Sequence, residues 1–151
     1  MQWLHGIRGF VLYLIAGYFF DRQNLDKARK WMDRSNANDP GFHAHVVATD
    51  AILCVLEGRS TEAYQRFSHC LGLIEKVRSP NDEYLTIFCR FWLKALDDRA
   101  SPSELESMAG EASGLPVDKW LRRRFRFPSR ESIQNNVKRS SADDARVVFD
   151  F

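Results

Sequence analysis

Between residues 119 and 130 the chain carries Lys119, Arg122, Arg123, Arg124, Arg126 and Arg130, and no acid. Trp120, Phe125 and Phe127 interleave with these cations. Guanidinium groups grip phosphates and aromatic rings stack on bases, so the pattern points to nucleic acid as one ligand class. An acidic membrane surface or an acidic protein is a second, although an amphipathic anchor is usually longer. The third reading is intramolecular. Residues 97–111 hold Asp97, Asp98, Glu104, Glu106 and Glu111 against a single Arg99. A basic helix laid beside them would screen both charges, with Trp120, Leu121 and Phe125 covering apolar surface. The intramolecular reading is favoured, because a net charge of +2 does not by itself call for a polyanion.

Other chemistry is thinly supported. His5, His43, His45 and His69 make neither a His-Glu-x-x-His motif nor a His-x3-His pair, so no metal is expected. Cys54, Cys70 and Cys89 include no Cys-x-x-Cys, and read as small buried apolar groups of a reducing cytoplasm. There is no phosphate-binding glycine loop of either common type, and nothing local pairs a nucleophile with a base. The expectation is a cytoplasmic, non-enzymatic protein without a cofactor.

The elements that position these residues read as helices throughout. A chain of 151 residues, 44% hydrophobic and 28% charged, suits one soluble domain with a real core. Apolar spacing predicts helices over about 3–20, 25–35, 42–57, 60–77, 82–97, 101–110 and 118–128. Asn24, Ser60, Ser101 and Asp118 are candidate N-caps, and Gly58 is a candidate C-cap. Residues 131–146 read as either helix or tail, with Val147, Val148 and Phe149 as a short apolar end that docks somewhere. From Phe10 to Phe20 the chain is uncharged, but this run is shorter than the roughly 20 residues a membrane span needs. A buried first helix is therefore favoured over an anchor. The boundary is expected near residue 112, with a helical-repeat region over 1–112 and a basic C-terminal helix and tail over 113–151.

The repeat is an echo at 35 residues. Ala16 maps to Ala51, Phe19 to Cys54, Ala28 to Ala63, Met32 to Phe67 and Ser35 to Cys70, with Pro40 closing the first unit. Over residues 8–75 this pattern resembles the tetratricopeptide repeat (TPR) family. Residues 82–110 have the length of a degenerate third unit. The first unit carries Leu12 where that family usually has Trp, and the second lacks a closing proline near Glu75.

The resemblance implies an all-α, short right-handed α-solenoid of two to three antiparallel hairpins with a C-terminal capping helix. It also implies a concave groove lined by Phe10, Tyr13, Gly17, Phe20 and Asp21 from one unit. His45, Ala48, Ile52, Val55 and Leu56 come from the next. The groove lacks the Lys/Asn set with which some family members hold carboxylate tails. As an apolar surface it suits a partner's peptide or helix, the chain's own C-terminal segment, or self-association, with Tyr13 and Phe20 as anchors. The competing reading is that these positions are internal core.

Overall fold

In the computed structural model, residues 2–38, 43–97 and 100–140 are described. They form α1 (Gln2–Asp21), α2 (Leu25–Asn38), α3 (Ala44–Leu56), α4 (Ser60–Leu73), α5 (Pro80–Leu96), α6 (Pro102–Ser113), α7 (Lys119–Arg124) and α8 (Arg130–Ser140). No strand occurs among the described residues. Pro40, Asp98, Arg99 and the end segment 141–151, with Val147–Val148–Phe149, lie outside them.

Local chemistry explains where several helices begin. Asn24 Oδ1 accepts a hydrogen bond from the Lys27 amide at 3.3 Å, opening α2. Ser79 Oγ accepts from the Asp82 amide and Ser101 Oγ from the Glu104 amide, each with proline at the next position. Two expected caps differ. Ser60 is the first residue of α4 rather than its cap, and Arg59 precedes it, its side chain paired with Glu62 rather than capping the backbone amides. Asp118 precedes α7, but its carboxylate accepts from Asn81 Nδ2 at 2.9 Å while its amide donates to Asn81 Oδ1. That reciprocal pair ties the start of α7 to the start of α5, a long-range use that local spacing does not reveal. The helix begun at Lys119 ends at Arg124 rather than Pro128, and α4 ends at Leu73 rather than Val77.

Consecutive helices pack on one another: α1 on α2, α3 on α4, and α5 on both α4 and α6. The 35-residue echo is geometric as well as textual. Ser35 Oγ donates to the Gly9 carbonyl at 2.7 Å, and Cys70 Sγ, 35 residues on, donates to the Ala44 carbonyl at 3.2 Å. The turns repeat too. Gln23 (φ 60°) and Gly58 (φ 75°) both take the left-handed conformation. The amides that follow, Asn24 and Arg59, donate to Phe19 and Cys54. Glycine adopts such a φ freely, whereas glutamine does so at a cost of about 1 kcal/mol. Ala16, Ala51, Ala28 and Ala63 are buried, as helices in close contact require.

Two apolar clusters result. The larger joins α3, α4, α5 and α6 to Leu121, Phe125 and Ile133, around Phe67, Phe88, Phe91 and Trp92. The smaller joins Tyr13, Ala16, Ala28 and Met32 to Val46 and Leu53 of α3. Between them lies an ionic knot. Asp50, in the otherwise apolar face of α3, accepts from Arg29 at 2.7 Å, Arg66 at 2.8 Å and Asn36 at 3.0 Å. Arg29 also bonds Glu57 and Asp33. Burial opposes the Arg29 charge, but the bond to Glu57 and the field of Asp50 outweigh it and raise its pKa. A buried carboxylate so held tolerates little: removing one partner of such a pair typically costs about 3–5 kcal/mol.

Candidate functional site

The residues expected to line a groove come together, but not as an open channel. Ala48, Ile52 and Val55 are buried within α3, and Tyr13 is buried in α1. Phe20 and His45 are half-buried, and Phe10 is exposed. In this conformation most of the set is core, and α7 lies over its edge. Arg124 Nη1 donates to Tyr13 Oη at 2.9 Å, while Nε and Nη2 bond the Asp21 carboxylate at 2.9 and 3.1 Å. Its guanidinium carbon is 5.8 Å from the ring centres of both Tyr13 and Phe20. Trp120 meets His45 edge-on at 6.2 Å, and His45 meets Tyr13 at 5.4 Å.

Gly17 makes this seat possible. A Cβ there would stand 2.6 Å from Arg124 Nη2, so only a residue without one leaves the guanidinium room. Phe125 then inserts fully into the larger cluster against Phe88, and Tyr84 Oη donates to its carbonyl at 2.6 Å. Burial pushes the Tyr84 phenol up to about 12, so it stays a donor across the neutral range.

The electrostatics of the closed face favour a neutral imidazole. Burial, then His43 and Arg124, pull the His45 pKa down to about 4. Arg124 itself is charged: burial works against it, and Asp21 and Tyr13 outweigh burial. Cys54 and Cys89 are held as thiols. Cys89 is pushed well above its usual value by the Cys70 hydrogen bond and by burial, and Cys54 is raised by burial and Asp50. Thiols in that state are poor nucleophiles. Among the described residues no three His, Cys, Asp or Glu side chains are grouped to hold a metal ion.

The basic segment divides into two sets. Arg122 donates to the carbonyls of Ser113 and Leu115, closing the end of α6. Arg124 holds Asp21, and Arg130 lies 3.3 Å from Glu106. The expected acidic partner of this helix, the 97–111 stretch, thus takes Arg130, whereas Arg124 turns to α1. Lys119, Arg123 and Arg126 point outward.

The exposed apolar surface lies elsewhere. Leu4, Ile7, Val11, Leu14 and Tyr18 form one stripe on the side of α1 opposite its packed face, with Phe10 at its margin. Comparison with protein-family models, curated proteins and solved structures found no match for this chain.

Two features escaped the sequence reading. Asp50 interrupts an apolar run, and an acid there signals a buried partner. The α1 stripe repeats at steps of three and four residues, a signal visible once both sides of an all-apolar helix are asked what covers them.

Proposed function

We propose that this chain is a non-enzymatic protein–protein interaction module, a short array of TPR-like antiparallel hairpins whose docking surface is the outer face of α1. The 35-residue recurrence of the Ser35 and Cys70 bonds, and of the left-handed turn residues, supports the repeat architecture. The observation that carries the function is the α1 stripe: six large apolar side chains, 41–53% exposed, on a single helix face. Contiguous apolar patches larger than a few hundred Å² mark interaction sites on soluble proteins, because leaving them in water costs about 25 cal/mol per Å².

The groove positions are the weaker docking surface, since a partner there would have to displace α7. The polyanion reading loses Arg122 and Arg124, which are engaged within the chain, and keeps Lys119, Arg123, Arg126 and the exposed Arg130, whose charge is shared with Glu106. Among the described residues no helix is long and apolar enough to cross a membrane.

The test uses chain recovered from its native source, wild type against an Ile7→Glu/Leu14→Glu variant, by size-exclusion with light scattering. Complexes are expected with the wild type and lost in the variant, whose helicity stays unchanged. Identical elution of the two would remove the surface from the argument.

A further inference from the structure

We infer that the occupant of the α1 stripe is a second copy of this chain, paired with it about a two-fold axis. The inference rests on the docking reading above and names its partner.

The spacing comes first. Leu4, Ile7, Val11, Leu14 and Tyr18 follow steps of 3, 4, 3 and 4, the a/d repeat with which one helix seats its side chains between those of another. The stripe carries no charge along about 21 Å of helix. Arg8 sits beside it, and the Arg22 guanidinium, just past the end of α1, lies 3.8 Å over the Tyr18 ring that ends the stripe.

Symmetry comes second. A two-fold interface must be self-complementary, so the same patch has to satisfy both partners. The stripe is centred on Val11, with Leu4 and Tyr18 seven residues to either side. Full overlap of two stripes about a two-fold axis therefore brings Val11 against its own copy, the smallest side chain of the five at the point of closest approach. No acidic or basic group is met head-on there.

Area comes third. The six exposed side chains offer on the order of 600 Å² per copy, so a pair would bury about 1,200 Å², the lower edge of what specific interfaces use. That predicts a reversible dimer rather than an obligate one. A membrane surface is disfavoured as occupant. Helices that lie on lipid set a cationic face beside their apolar one, whereas the opposite side of α1 is buried on α2 and α3.

The experiment is sedimentation of purified full chain across a concentration series, with Val11→Glu and Val11→Lys made separately. Wild type should approach twice the 17.5 kDa of one chain. Each variant places like charges against each other and should weaken pairing by about 100-fold. Mixing the two variants should restore the dimer, a rescue that misfolded protein would not give. A wild-type dimer untouched by either variant overturns the proposal. So does a wild-type monomer at every concentration. If that monomer sediments with anionic vesicles and the variants do not, the occupant is lipid. If it pairs only after residues 141–151 are removed, the occupant is the chain's own tail. If the native-source complexes of the preceding section are still lost on substitution, the docking surface survives and only the second copy is refuted.

Discussion

His45 shows how one side chain reports the closing of a face. It stands between Tyr13 of α1 and Trp120 of α7, with His43 beside it and the Arg124 guanidinium close enough to repel a proton. Its folded pKa is about 4, below the ordinary 6.5. Between those two pH values the unfolded chain binds a proton that the folded chain refuses. Stability is then intact above about 6.5 and falls as pH drops toward 4, where the loss levels off. Part of the ring is open to solvent, so the loss is expected to be about 2 kcal/mol rather than the full value of the shift. Urea titrations of wild type and His45→Gln at pH 7, 5.5 and 4 check this. The variant should lose less stability on acidification, and parallel curves would mean that His45 is not buried as described. The sequence placed His45 among the expected groove residues, but its burial and the Arg124 charge near it were not legible. Arg124 lies 79 positions away, and no local period links them.

At the scale of the element, α7 is a six-residue helix that owes its place to tertiary bonds. So short a helix is not stable alone. The Asn81–Asp118 exchange fixes its start, Arg122 holds the end of α6, Phe125 anchors its exit and Arg124 crosses to α1. Gly17 is the hinge of that arrangement. In an exposed helix interior, glycine to alanine adds about 1 kcal/mol. At Gly17 the new methyl meets the Arg124 guanidinium, which must give up Asp21 or Tyr13 to make room. We expect Gly17→Ala to gain less than the intrinsic increment and to raise hydrogen exchange over residues 119–128. Unchanged exchange there would show that Arg124 does not hold the segment. Most helix positions, the Ser101–Pro102 opening and the glycine stop at Gly58 were readable locally, because capping and apolar period are local signals, whereas α5 starts at Pro80 behind its Ser79 cap rather than at 82. The early end of α7, the displaced cap at Arg59 and the pairing of Arg124 with Asp21 were not, because distant partners decide them.

At the scale of the whole molecule, the two apolar clusters are unequal, and their joint is narrow. The α1–α2 pair meets the rest through α3, the Asp50 knot and the Arg124 strap. Proteins open in units whose free energies follow their buried contacts, so the smaller unit should open first. Native-state hydrogen exchange should therefore find α1 and α2 exchanging at a lower free energy than α5, with Arg124→Ala widening the gap. Equal free energies in both helices would mean that the chain opens as one unit. The joint is polar because Asp50 of α3 bonds Arg29 of α2 and Arg66 of α4 there. Those bonds fix which face of α3 meets its neighbours. The α1 stripe lies on the far side of α1 from that joint. A pairing that covered the stripe would stabilise the least protected helix by mass action. Protection of α1 would then rise with protein concentration while that of α5 would not, so one exchange series reads both the weak joint and the surface that relieves it.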